Sequence, residues 1–143
     1  GMQAFEKNGC VACHSGPACN GAGRLATGQG FFMKFPTFTD NEYVSKYKIT
    51  ADKGRFENTK QQGDEHLWRV PTLRNLAYTA PYFHNGAVKS LDEAVRVMAK
   101  TQLNKDLSKG EVHDITAFLD SLNGKFPEQA MPHLPATPGH LLD

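Results

Sequence analysis

Apolar residues recur at helical spacing in two stretches of the C-terminal half. In the first, Leu91, Ala94, Val95, Met98 and Ala99 fall on one helical face. Ser90 and Glu93 precede it in capping-box order, where hydroxyl and carboxylate each satisfy an orphan N–H of the first turn. In the second, Val112, Ile115, Phe118, Leu119 and Leu122 share a face behind another such box, Ser108 to Glu111. Asn123-Gly124 supplies a stop for that helix. Near the start, MQAFEKNGC predicts a short helix with Met2, Phe5 and Gly9 on one face, running into the turn that follows. Between Pro17 and about Lys53 no period holds. Gly21, Gly23, Gly28 and Gly30, with the apolar cluster Phe31, Phe32, Met33 and Phe35, predict a long wrapped loop. Such a loop is uncommon in a compact domain without a job, and packing around a flat cofactor is one. The expected architecture is a mostly α domain with long loops over residues 1–127. A proline-rich, extended tail follows over 128–143.

Composition narrows this picture by exclusion. The 143 residues suit one domain. Charged residues are 22% of the chain and the net charge is +1, so no strongly basic face argues for nucleic acid. The apolar runs are too short for a transmembrane helix. The opening GMQAFEKNG lacks the basic start and apolar core of a signal peptide.

The candidate chemistry sits near the start, in GCVACHSGP, Gly9 to Pro17. Cys-x-x-Cys alone reads as a redox dithiol, half a zinc site or a chance pair. A histidine directly after it gives the attachment signature of c-type haem. Cys10 and Cys13 are spaced to meet two porphyrin vinyl groups from one side, and His14 can turn its imidazole under the ring to the iron. A dithiol would want a βαβ pattern around it, and none is visible. Zinc would need two more ligands at short spacing; Cys19 is one candidate, with no compact Cys/His pair after it. Cys19 is otherwise left over, as a buried or free thiol or as a partner in an intermolecular disulfide. Haem attachment of this type takes place outside the bacterial cytoplasm. A secretion signal is therefore expected upstream, and the chain reads as a mature protein or a piece of a longer one.

The second axial ligand decides the chemistry, because two strong ligands favour electron transfer and an open position favours binding or activating a small molecule. The pattern favours Met98, on the apolar face of a capped helix late in the chain. Core filler is its bland alternative. Met33, in the aromatic loop, is the runner-up. Met2 lies too close to the attachment turn, and Met131 lies in the tail. His66, His113, His133 and His140 read as unremarkable, whereas His84 stands in a dense segment.

That segment, RVPTLRNLAYTAPYFHNGAVKSLDEAVRVM (Arg69 to Met98), closely resembles the C-terminal haem domain of bacterial dihaem cytochrome c peroxidases. The supporting pieces are DKGRFENT (Asp52 to Thr59), VPTLRN (Val70 to Asn75), TAPYFHNG (Thr79 to Gly86) and QLNKDLSKGEVHDITAFLDSLNGKFPE. The likeness spans nearly the whole chain. It implies a cytochrome c-like, single-haem domain. Cys10 and Cys13 would attach haem c, with His14 proximal and Met98 distal. Such a domain takes electrons from a small donor, a cytochrome c or a cupredoxin. It passes them to an N-terminal peroxidatic haem domain, where hydrogen peroxide is reduced to water. Calcium commonly lies between the domains, held partly by backbone oxygens that map onto Thr79 and Pro81, as suits a hard cation. Arg74 could pair with a haem propionate or with a surface carboxylate. Trp68 reads as core, and Tyr82 and His84 as packing. The resemblance also implies a periplasmic location and often a homodimer.

The sequence departs from the family pattern in having one Cys-x-x-Cys-His rather than two, and in Cys19. By itself the chain is therefore expected to transfer electrons rather than reduce peroxide. The alternatives are a standalone monohaem electron carrier and a dihaem-family oxidoreductase with another substrate.

Overall fold

The computed structural model describes residues 1–21, 26, 29–125, 128–130 and 132. Helix α1, Met2–Lys7, opens the chain. It does not run on into the cysteine turn. Gly9 takes a left-handed conformation (φ 91°), and a separate 3₁₀ turn, Cys10–Ala12, follows. Glycine adopts that conformation without the Cβ penalty other residues meet. The predicted shared face also differs: Phe5 is buried, but Met2 is 59% exposed.

The stretch expected to be a wrapped loop holds regular structure after Phe31. Strand β1, Phe32–Lys34, pairs antiparallel with β2, Leu67–Arg69, which sets Met33 opposite Trp68. Two short helices lie between them, α2 (Glu42–Lys46) and α3 (Phe56–Thr59). Asn41 caps α2 by accepting the Tyr43 N–H at 3.2 Å. Three-residue strands carry too little period to be seen in sequence. Their pairing comes from contacts with distant residues.

Helices α4 (Leu91–Leu103) and α5 (Lys109–Ser121) match the predicted stripes. Only α5 completes its box: Ser108 accepts the Glu111 N–H, and the Glu111 carboxylate accepts the Ser108 N–H at 2.9 Å. At α4, Ser90 accepts the Glu93 N–H, but the Glu93 carboxylate turns away. It takes the Tyr47 hydroxyl at 2.5 Å and the Lys46 ammonium at 3.2 Å.

Two apolar clusters form the core. Phe35, Ile49, Val88, Ala94 and Val97 make the first, with Met98, Trp68 and Phe83 against it. Phe5, Ile115 and Leu119 make the second, with Cys10, Leu91 and Val95 against it. Helix α4 therefore serves both clusters, and the fully buried Val97 adds a face beyond the predicted stripe. Among the described residues no helix is long and apolar enough to cross a membrane. Most of the tail assigned to 128–143 lies outside the described residues.

Candidate haem-binding site

A cavity of about 550 Å³ opens between the two clusters, with Phe5 and Ile115 on one wall and Phe35 and Ala94 on the other. Its size falls in the ~300–1,000 Å³ range of cofactor and small-molecule sites. Cys10, Cys13, His14 and Met98 all line it. So do Leu91, Ala94, Val95 and Ala99, the whole stripe of α4 read from the sequence.

Backbone geometry fixes the N-terminal wall. The His14 N–H bonds the Cys10 carbonyl at 3.0 Å, and Ser15 and Gly21 bridge to close the loop after it. Nδ1 of His14 lies 3.0 Å from the Cys19 carbonyl. With that nitrogen donating, Nε2 keeps the lone pair a metal ligand needs. Burial lowers the His14 pKa, and the Cys19 and Pro71 carbonyls partly oppose this. Burial also raises the pKa of both Cys10 and Cys13. Cys19 itself is a free thiol, and its backbone is what touches the site. Thr72 ties this loop to the VPTLRN segment by donating its hydroxyl to the Ala18 carbonyl at 2.6 Å.

On the opposite cluster, helix packing presents the half-buried Met98. The runner-up Met33 lines the same cavity from β1. Met2 does not line it, and Met131 lies outside the described residues. His84 also lines the cavity and stacks on Trp68, with centroids 4.1 Å apart and rings 17° from parallel. Burial lowers its pKa. Trp68 packs on the first cluster and also lines the cavity. Tyr82 donates its hydroxyl to the Leu76 carbonyl at 3.2 Å. His66 sits away from the cavity, with Nδ1 3.1 Å from the Asp52 carbonyl, and His113 is exposed on α5. His133 and His140 fall outside the described residues.

Arg74, Thr79 and Pro81 are exposed residues of the cavity lining. Asn75, held left-handed at φ 63°, accepts the Gly124 N–H at 2.8 Å, while Asn123 accepts the Ala77 N–H at 3.3 Å. The stop signal of α5 thus anchors the segment leading to Thr79. The described residues contain no group of three or more His, Cys, Asp or Glu side chains that could hold a metal ion.

The donor set suits a haem. Two thiols and an imidazole from one short turn meet an apolar cavity with a thioether on a separate wall, and Arg69 and Arg74 are available for carboxylates. The sequence reading missed the Cys19 carbonyl as the partner of His14, because a backbone acceptor leaves no mark on residue identity.

Fold and cavity together define a cytochrome c-like domain. The fold matches a crystal structure described as a MauG-like protein associated with microbial copper homeostasis, at a TM-score of 0.61 and 22% identity, over 85% of this chain and 45% of that one. No protein-family profile matches the chain. It is 42% identical over 137 residues to cytochrome c551 peroxidase of Pseudomonas aeruginosa, covering 96% of this chain and 37% of that protein. It is 38% identical over 135 residues to cytochrome c551 peroxidase of Nitrosomonas europaea, covering 94% and 36%. Over nearly all of its length the chain is similar to bacterial cytochrome c peroxidases, and it spans a little over a third of the length of these relatives.

Proposed function

We propose that this chain is the electron-transferring haem domain of a dihaem peroxidase. The observation that carries the reading is the meeting of Cys10, Cys13, His14 and Met98 on one apolar cavity. Cys10 and Cys13 would tether one haem c through thioethers, and the His14 imidazole and the Met98 thioether would hold its iron. When bound, the haem supplies a one-electron couple. The protein excludes water from it with the two apolar clusters, orients the His14 imidazole through the Cys19 carbonyl, and holds the thioether of Met98 in place with α4. Arg74 would be available to pair with a propionate.

The electron donor is a small periplasmic protein, a cytochrome c or a cupredoxin, and the acceptor is a peroxidatic haem in a separate N-terminal domain that reduces hydrogen peroxide to water. Calcium at the carbonyls of Thr79 and Pro81 would join the two domains, and the working unit is a homodimer. With His14 and Met98 both holding the iron, this domain would pass electrons and leave peroxide chemistry to its partner.

The test is a visible spectrum of the purified holoprotein, oxidised and reduced, followed by cyanide. The expected result is a low-spin spectrum with a methionine-to-iron charge-transfer band when oxidised, and slow cyanide binding. A high-spin spectrum with rapid cyanide binding would overturn the assignment of Met98 and make the domain a peroxide-handling centre itself.

A further inference from the structure

The turn that carries Cys10 is anchored from the far end of the chain. The Asn8 carbonyl, two residues before Cys10, accepts a hydrogen bond from the Lys105 ammonium at 3.0 Å. The Asn8 side chain is buried, donates Nδ2–H to the Ala4 carbonyl at 3.0 Å, and reaches Glu111 Oε1 at 3.5 Å. Glu111 is itself fixed by the complete capping box of α5. Lys105 is fixed at its backbone, whose N–H bonds the Ala99 carbonyl at 3.0 Å just beyond α4. Since Gly9 reverses the helical sense, the course of the chain into Cys10 depends on where residue 8 is held. Cys10 packs on the Phe5, Ile115 and Leu119 cluster against α5, whereas Cys13 lies further along the turn, beyond the 3₁₀ segment.

We propose that Lys105 is a positioning residue for thioether formation at Cys10, holding the attachment turn so that this thiol meets a porphyrin vinyl group once the connection between α4 and α5 has formed. The inference rests on the haem reading above. In the step concerned, the Cys10 S–H adds across the vinyl double bond. A C–S bond forms at the carbon next to the ring, the hydrogen ends on the terminal carbon, and no electrons are gained or lost. Haem attachment at Cys10 is thereby coupled to folding of the C-terminal helices.

The test compares the unaltered chain with Lys105→Met and Lys105→Arg, all produced in cells carrying haem-attachment machinery. Peptide mass spectrometry counts the thioethers at Cys10 and Cys13 separately, and far-ultraviolet circular dichroism follows helix content. Lys105→Met is expected to keep the Cys13 thioether while occupancy at Cys10 falls several-fold. Lys105→Arg is expected to restore most of it, because a guanidinium can still donate to the Asn8 carbonyl. Unchanged occupancy at Cys10 in Lys105→Met overturns the proposal. Equal loss at both cysteines, with lower helix content, overturns it too, since that marks a general structural role. An unaltered chain that carries no haem at all would instead overturn the haem reading.

Discussion

The two walls of the cavity reach the same end by opposite means. The His14 wall is made of turns: a left-handed Gly9, a three-residue 3₁₀ segment, and a ring aligned by the Cys19 carbonyl. The Met98 wall is a thirteen-residue helix, held by burial of Ala94, Val97 and Ala99. The first is a local device that works through hydrogen bonds to fixed backbone atoms, so it sets the direction of one imidazole closely. The second works through side-chain packing, which places a thioether within a region and leaves its three rotatable bonds to adapt. A ligand that must bind in one tautomer and one direction belongs on the first kind of wall. A soft, adaptable ligand can come from the second.

This contrast is broken most severely at His14. His14→Ala removes the one imidazole whose direction the backbone sets, and its holoprotein should lose the low-spin spectrum altogether. Supplying free imidazole should restore it in part, which a change in fold would not allow. Met98→Ala should act less completely. Its holoprotein should become high-spin and bind cyanide rapidly, while the thioethers at Cys10 and Cys13 remain. Loss of the half-buried side chain should also cost about 2 kcal/mol in urea unfolding, the low end for Met→Ala. If Met33→Ala gives the spectral change and Met98→Ala does not, the distal ligand lies on β1, since both side chains line the cavity.

The walls were also legible in the sequence to different degrees. The stripe Leu91, Ala94, Val95, Met98 and Ala99 appears whole on the cavity, because a long helix shows one face at a fixed period. The Cys-x-x-Cys-His motif was legible as chemistry, yet its local geometry was not. The expected continuous helix is broken at Gly9, a break that backbone dihedrals decide and residue periodicity does not report. The β1–β2 pair was invisible for a related reason. Three residues cannot display a two-residue period convincingly, and Met33 meets Trp68 only through pairing with a partner 35 positions away. The capping box read at Ser90 and Glu93 formed only by half, because Glu93 found better partners in Tyr47 and Lys46 than in its own helix start. Local motifs predict local bonds unless a distant group competes.

A smaller effect tests how closely the sheet side of the cavity is packed. Gly54 is buried with φ 62°, and a Cβ there would lie 2.8 Å from the Trp68 ring and 2.9 Å from the Leu67 carbonyl. Gly54→Ala should therefore lower stability by about 1–3 kcal/mol through overpacking and backbone strain. Because Trp68 lines the cavity, the haem spectrum should shift along with the unfolding midpoint. Smaller again are the helix caps. Ser108→Ala should cost about 1 kcal/mol, as the loss of a complete box does, while Ser90→Ala should cost about half as much, since its Glu93 carboxylate is engaged elsewhere. Equal costs, read from chemical unfolding, would mean that the distant partners of Glu93 do not weaken the box.

The smallest effect belongs to that distant contact and can be separated by pH. The Tyr47 hydroxyl, and after it the Lys46 ammonium, hold the Glu93 carboxyl below its ordinary value of 4.5. A folded-state value below the unfolded one means that the contact stabilises above the unfolded value. The contribution is lost as pH falls through the lower, folded value. Tyr47→Phe removes the hydroxyl that is the main cause. The variant should therefore be less stable than the unaltered chain at pH 7, by a few tenths of a kcal/mol for a contact this open to solvent. The gap should narrow steadily in acid, below the ordinary carboxylate range. Urea unfolding of the two proteins at pH 7 and pH 3 measures it. A gap that stays constant across that range would mean that the Tyr47 hydroxyl contributes regardless of the charge on Glu93, and would leave the ionisation of Glu93 as a bystander on the helix that presents Met98.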